Sequence, residues 1–209
     1  MSNDQKKHQK QSLENSRNKM IDIENLRYGT VNEDLAKQLV MEYEATKNLP
    51  IRYRILRLLC LHDYPVLETF FKSAISRERY LDMKILAIKG YAQFASEKSL
   101  TKVMENFCDI LAKRELSTPY NYGEYEFLRG KHALPFLAEK YGYASFLKAL
   151  QQTNEQYERM PDAFKGIFTT NEFGEQVRLL TPEESSARIN AFRAAARAAL
   201  PTASKATLA

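Results

Sequence analysis

Apolar residues recur along residues 33–113 at the i, i+3, i+4 spacing that places them on one side of a helix. The spacing predicts five amphipathic helices in succession. Their apolar stripes begin at Leu35, Ile51, Val66, Leu81 and Leu100. Each stripe is interrupted by polar residues, as expected for helices that bury one face and expose the other.

Helix-start signals separate these stripes. Thr30 and Glu33 have the spacing of a capping box, and Ser96 stands before the fifth stripe. Pro50 opens the second helix, and Asp63 with Pro65 marks the start of the third. The helix pairs recur about every 32 residues, a period typical of stacked helical hairpins.

Residues 63–95 resemble a HEAT repeat. Pro65 stands near the start of the first helix, a short turn lies at 76–79, Met83-Lys84 occupies the place of the usual Val-Arg pair, and Ala87 holds the small position. The resemblance implies antiparallel helix pairs stacked side by side, an architecture that exposes an extended concave surface for binding.

The pattern changes after Arg114. Residues 117–127 predict a turn-rich, tyrosine-dense link, followed by one helix kinked at Pro135 and another from Phe146 to Tyr157. Residues 167–169 and 176–179 then predict two strands that turn at 171–174, and Thr181 starts a last helix. The predicted fold class is mainly α: a HEAT-like stack of antiparallel helix pairs with a small C-terminal β-hairpin near 165–180.

Charge divides the chain into three parts. Residues 1–19 hold five basic and two acidic residues, a net of +3, and residues 186–209 hold four basic residues and no acid. Residues 20–185 carry a net of −2. We expect a disordered basic arm at 1–19, a single helical domain at 20–200 and a frayed tail at 201–209. Because the basic residues lie at the ends, nucleic-acid binding by the domain is disfavoured.

Composition predicts a cytoplasmic protein. No window holds the roughly 20 apolar residues of a membrane span, and the polar N-terminus lacks a secretory signal. Cys60 and Cys108 lie in apolar helical stretches, where we expect reduced, buried thiols.

Catalytic patterns are absent from the sequence. His8, His62 and His132 are far apart, and neither a Cys-x-x-Cys pair nor a glycine-rich phosphate loop occurs. Carboxylate pairs such as Glu124 with Glu126 occur where acids commonly favour a helix start. We therefore expect no enzyme, no metal site and no cofactor.

The tyrosine-dense link provides the candidate partner site. Tyrosine offers a large contact area with a hydrogen-bonding tip, which suits interfaces, but the same rings could pack a joint between helix layers. Both interpretations stay open. The candidate partner-binding residues are Tyr120, Tyr122, Glu124, Tyr125, Glu126 and Arg129.

A basic stripe is the alternative site. It comprises Arg54, Arg57, Arg79 and Lys84, which adjacent helices of a stack could bring together. The stripe could face phosphates or acidic groups, or it could be an ordinary solvated face with salt bridges.

Residues 120–180 are similar to the C-terminal region of small bacterial HEAT-like proteins, some of which are immunity proteins of contact-dependent growth inhibition systems. The phrases that carry the similarity are YEFLRGKHALPFLAEKYGY and YERMPDAFKGIFTTNEFGE. The resemblance implies a protein that binds and neutralises a cognate toxin domain. The alternatives are a nucleic-acid-associated protein, which would use the basic termini and the stripe, and a scaffold or adaptor.

Overall fold

A computed structural model describes residues 23, 26–27, 30–165, 168–170 and 176–199 of the chain, and within them the fold is mainly helical. The ends predicted as a disordered arm at 1–19 and a frayed tail at 201–209 lie outside the described residues. A short 3₁₀ helix, Asp162–Phe164, follows the helix Ala144–Arg159. The α-helices are α1 Glu33–Ala45, α2 Leu49–Leu59, α3 Val66–Arg77, α4 Leu81–Tyr91, α5 Glu97–Lys113, α6 Tyr122–Arg129, α7 Leu134–Tyr141, α8 Ala144–Arg159 and α9 Pro182–Ala199.

Side-chain caps explain several helix starts. Ser96 caps α5 as predicted, by accepting a hydrogen bond in the first turn. The predicted cap of α1 was wrong: Asn32 accepts from the Leu35 amide at 2.9 Å, whereas the Thr30 hydroxyl donates to a backbone carbonyl upstream. The prediction that Asp63 caps α3 was also wrong, because this helix begins without a side-chain cap.

The first four helices form two hairpins. Arg52 at the start of α2 donates to the Tyr43 hydroxyl near the end of α1 at 3.4 Å. Lys84 in the first turn of α4 donates to the carbonyl of Ile75 near the end of α3 at 2.7 Å. Each contact joins the end of one helix to the start of the next, so both pairs are antiparallel.

The two hairpins lie side by side. Tyr43 and Phe70, on α1 and α3, make an edge-to-face ring contact with centroids 4.9 Å apart. Gln93, just past α4, donates to the carbonyl of Cys60 just past α2 at 3.0 Å. These contacts set α1 beside α3 and α2 beside α4, with the helices of each couple running in the same direction.

The predicted continuation of antiparallel pairs beyond Ser96 was wrong. The Ala144 amide at the start of α8 donates to Glu97 at the start of α5 at 2.9 Å, and Gln156 late in α8 donates to the carbonyl of Leu111 late in α5 at 2.8 Å. Helices α5 and α8 are therefore parallel. The short helices α6 and α7 carry the chain back between them and pack against α4.

The predicted C-terminal β-hairpin also needs correction. The core of the fold is helical, and no strand forms a layer of it among the described residues. Two short segments, Phe168–Thr170 and Gln176–Leu179, share antiparallel backbone pairing whose register shifts after Thr169. The predicted turn at 171–174 lies outside the described residues. So short a two-stranded ladder contributes little stability by itself, and the fold is mainly α, without the predicted hairpin as one of its parts.

The core fills the space between the helix layers, and α9 packs on its edge through the partly buried Ile189. Helix α9 has no buried residue in its described span, although Phe192 contacts Phe164 edge-on with centroids 5.2 Å apart. No helix in the described ranges is long and apolar enough to cross a bilayer. The largest aromatic side chains fully enclosed in the core are Tyr43, Phe71, Phe107, Tyr120, Phe146 and Phe164.

Candidate binding groove

The tyrosine-dense link folds as a helix, α6, where the sequence predicted a turn. Asn121 caps it by accepting from the Glu124 amide at 2.8 Å, and the Glu124 carboxylate accepts from the Asn121 amide at 3.3 Å. This reciprocal capping box satisfies two backbone donors at the helix start. Because α6 is helical, residues four positions apart share a face, and the predicted site residues fall on three different faces.

Tyr120 and Glu124 lie in the core. Tyr120 is fully buried, and its hydroxyl donates to Gln156 of α8 at 3.1 Å. Glu124 is buried in an ion pair with Arg114, 2.8 Å from nitrogen to oxygen, and the Arg114 guanidinium lies 4.5 Å from the centre of the Tyr120 ring. These two residues therefore pack the joint between helices, which is one of the two roles that the sequence left open.

Tyr125 and Arg129 share a second face of α6 and pack against α8. The Tyr125 ring lies 5.7 Å from the ring of Tyr157. The Arg129 guanidinium stacks over that same ring at 4.1 Å and donates to Asn154 at 3.1 Å. Both residues are half-buried, and their side chains join two helices.

Tyr122 and Glu126 point in a third direction, into a groove of about 410 Å³ between α2, α4 and α6. We call it the α2–α4–α6 groove. One predicted stripe residue, Arg57, joins them there, so the structure unites part of each candidate site. The other side chains that line the groove are Tyr53, Cys60, Leu61, Leu86, Lys89, Phe127 and His132.

The groove combines aromatic surface with charges of both signs. The Tyr53 and Phe127 rings meet edge-on at 6.2 Å, and the Arg57 guanidinium lies 5.8 Å from the Tyr53 ring. Burial and a hydrogen bond with Glu126 raise the pKa of Tyr122, so the phenol is protonated at neutral pH and donates to the carboxylate. A partner would meet aromatic faces flanked by two cationic side chains and one carboxylate.

The groove also holds a buried thiol and a hydrogen-bonded lysine. Cys60 lines it, but burial raises the pKa of this thiol to about 11, so almost none of the nucleophilic thiolate forms at neutral pH. Lys89 donates to the carbonyl of His132 at 2.8 Å. Within the part of the chain that the structure describes, no three His, Cys, Asp or Glu residues are grouped to hold a metal ion.

The predicted basic stripe is divided among different surroundings. Arg54 donates to the carbonyl of Leu26 at 2.5 Å and holds the segment that precedes α1. Arg57 lines the α2–α4–α6 groove, whereas Lys84 lines a separate groove beside α3 and α5. Arg79 is exposed in the α3–α4 connection. The four residues therefore do not act as one surface.

Sequence reasoning missed Tyr53, Lys89 and Phe127 as groove residues. The 32-residue period held a usable signal, because Arg57 and Lys89 are one period apart and occupy neighbouring helices, α2 and α4, that run in the same direction. Tyr53 and Arg57 are four residues apart and so share a helix face. The capping box that turns the tyrosine-dense link into a helix was the second missed signal.

Comparison with known proteins gives no match: no family model, no curated protein and no solved structure is similar to this chain.

Proposed function

We propose that the protein is a non-enzymatic protein-binding module of the cytoplasm that holds its partner in the α2–α4–α6 groove. The observation that carries the proposal is the meeting of Tyr122 and Glu126 with Arg57 and Lys89 in one open groove. Aromatic and arginine side chains supply most of the binding energy at protein interfaces, and surrounding charges steer association.

The composition of the groove supports a protein partner over a small substrate. Its polar groups are one carboxylate, two cations, two phenols and an imidazole, and its only thiol among the described lining residues is Cys60, which is protonated. Buried free thiols at Cys60 and Cys108 suit a reducing compartment. The resemblance to immunity proteins supplies a first partner to test, a toxin domain encoded beside this gene.

Nucleic acid is the less favoured ligand. Arg54 is engaged with the segment before α1, and Arg57 and Lys84 line different grooves, so the alternative stripe offers no continuous phosphate-binding surface among the described residues. Salt distinguishes the two ligand classes. Phosphate contacts release counterions, so their affinity falls steeply with ionic strength, whereas an interface anchored by tyrosine loses much less.

Site-specific photocrosslinking tests the proposal even while the partner is unidentified. A benzophenone amino acid replaces Tyr122 in the groove or, as the control, Tyr80, which is 48% exposed at the start of α4 and outside the groove. We expect a discrete protein adduct in cells from position 122 and none from position 80. The co-expressed product of the neighbouring gene is the first candidate for that adduct.

Affinity measurements with the captured protein complete the test. Tyr122→Ala should weaken binding by roughly 1–3 kcal/mol, the range of an aromatic hot spot, and Tyr80→Ala should leave affinity unchanged. Equal adducts from both positions, or equal affinity of both alanine variants, would reject the groove as the partner site. An adduct with nucleic acid from position 122 would replace the proposed function by the alternative.

A further inference from the structure

A second groove lies between α3 and α5, with α4 as its floor, and it has a different chemical character. Its volume is about 490 Å³. We call it the lysine groove because each of the three helices contributes one lysine: Lys72 from α3, Lys84 from α4 and Lys102 from α5. Helices α3 and α5 lie apart because α5 packs mainly on α8, which leaves the surface of α4 accessible between them.

The floor of the lysine groove is apolar, whereas its walls mix apolar and polar side chains. Ile88 and Tyr91 of α4 and Phe107 of α5 are buried beneath it, whereas Ile75 is half-buried and Ile110 is 38% exposed. The apolar side chains that a ligand in this groove would meet are therefore mainly Ile75, Val103 and Ile110.

Helix α5 presents a continuous stripe to the lysine groove. The lining residues of α5 occur at the i, i+3, i+4, i+7 spacing of one helix face and extend over 99–110, about 16 Å at 1.5 Å per residue. This stripe adjoins the one that α5 buries against the core. A trough with helical walls and this length accommodates another amphipathic helix, whereas an added strand would need a free sheet edge.

The charges of the lysine groove select the occupant. No acidic residue is among its described lining residues, and Lys72 and Lys102 are exposed. The Lys84 ammonium donates to the Ile75 carbonyl at the floor, and burial lowers the pKa of this amine. The chain's own ends are poor occupants because residues 1–19 and 186–209 are both basic.

We propose that the lysine groove docks an acidic amphipathic helix from a partner protein, with apolar side chains on the floor and carboxylates beside Lys72 and Lys102. The surface lies on a different side of α4 from the α2–α4–α6 groove and does not depend on the function proposed for that groove.

A displayed library of amphipathic helices, panned against the full chain, tests the proposal. The groove variant, which should lose binding, carries Lys72→Glu and Lys102→Glu. The matched control carries Lys47→Glu and Lys148→Glu, the same charge change at exposed lysines outside the groove. We expect clones that bind the wild type and the control, but not the variant, to be enriched in Asp and Glu beside an apolar stripe.

A synthetic peptide from such a clone then provides the affinities. Its Kd should rise at least tenfold for the variant and less than threefold for the control, and a peptide with its acids changed to lysine should regain affinity for the variant. Lys72→Ala with Lys102→Ala repeats the measurement if the glutamate variant has a lower Tm.

Four results would overturn the proposal. In the first, the clones that discriminate between wild type and variant are neutral or basic. In the second, no clone discriminates at all. Laurate could bind the wild type and not the variant while acidic peptides fail, which would assign the groove to a fatty-acid anion. Sedimentation could show a wild-type dimer that the variant loses, which would assign it to a second copy of the chain.

Discussion

Glu78 illustrates how single residues hold the helix ends together. Only 3% of this residue is exposed, and its carboxylate accepts hydrogen bonds from the Tyr43 hydroxyl and from Arg52, the latter at 2.5 Å. The Arg52 guanidinium also lies 4.9 Å from the centre of the Tyr43 ring. Arg52 thus compensates the charge of Glu78 at the point where α1, α2 and the end of α3 meet. Breaking a buried ion pair is costly because it leaves an unpaired charge in the interior.

Removing Arg52 should destabilise the protein far more than removing a surface arginine from the same joint. Arg52→Ala leaves Glu78 buried without its cation, and we expect a loss of roughly 3 kcal/mol of unfolding free energy. Arg77→Ala removes the exposed ion pair with Glu44 and should cost at most about 1 kcal/mol. Urea denaturation of both variants measures the difference, and similar losses would contradict the role assigned to burial.

Asp82 should make stability depend on pH. Burial, together with the nearby carboxylates of Glu124 and Glu78, raises the pKa of Asp82 above its unfolded value. The protonated acid therefore favours folding below the unfolded pKa of about 3.9, and this contribution is lost as the pH rises through the higher folded pKa.

We expect Asp82→Asn to be more stable than the wild type at pH 7 and to lose that advantage at about pH 3, where the wild-type carboxyl is protonated in both states. Asp109→Asn, at an exposed position on α5, is the control and should not show this dependence. Denaturant midpoints at both pH values test the sign, and an advantage that is equal or larger in acid would contradict it.

At the scale of residues, sequence predicted periodic burial better than it predicted polar partners. Leu39, Ile55 and Leu100 are buried where the helical spacing places them. In contrast, Glu124, which the sequence offered as a candidate partner-binding residue, pairs with Arg114, ten residues away across a link. Helical spacing is a local property, whereas an ion pair depends on which elements meet in three dimensions.

Helices α3 and α4 approach each other more closely than any side chain at position 90 would allow. A Cβ atom built on Gly90 would lie 2.3 Å from the ring of Phe71, which is fully buried. The glycine therefore permits the ring to pack directly on the α4 backbone. Gly142 differs, because its φ of 61° lies in the left-handed region and nothing is within 4 Å of its Cβ position.

Gly90→Ala and Gly142→Ala should both destabilise, but only the first should couple to Phe71. Overpacking at Gly90 should cost about 1–3 kcal/mol, and the left-handed backbone at Gly142 about 1–2 kcal/mol. Phe71→Leu makes room beside Gly90, so the double variant should lose less than the sum of its single changes. Additive losses for Gly90 with Phe71, or non-additive losses for Gly142 with Phe71, would contradict this account.

At the scale of elements, the sequence predicted the two stacked hairpins but not the second half. The hairpins have local signals, namely stripes, proline starts and short connections. The parallel packing of α5 on α8 has none, because it is set by contacts between residues as distant as Glu97 and Ala144. The prediction of a mainly α chain holds, but its small C-terminal β-hairpin was wrong, since a pattern over a few residues does not decide whether strands join a core.

At the scale of the whole molecule, two grooves of different chemical character lie on either side of α4. The α2–α4–α6 groove carries aromatic faces with charges of both signs. The lysine groove has an apolar floor, and the charged residues among its described lining are all lysines. A module with both could hold two partners, or two segments of one partner, at the same time. The proposed sites are independent only if changes in one groove leave binding in the other intact.

Three tyrosine variants distinguish the surface of α6 from its structural faces. Tyr122→Ala should lower affinity for the crosslinked partner by roughly 1–3 kcal/mol and change Tm little, because its ring lies in an open groove. Tyr120→Ala should cost about 3–5 kcal/mol of stability, as expected for a fully buried ring. Tyr125→Ala should fall between them in stability, since this half-buried ring packs on Tyr157.

Thermal melts and partner affinity, measured on the same preparations, check the order of these three variants. Affinity is compared for the folded fraction only, and the acidic helix peptide that binds the lysine groove serves as a second ligand for every variant. Because Tyr122 does not line the lysine groove, Tyr122→Ala should keep full affinity for that peptide while losing affinity for the partner. If it lost both, α6 would influence the far side of α4, and the two grooves would form one coupled site.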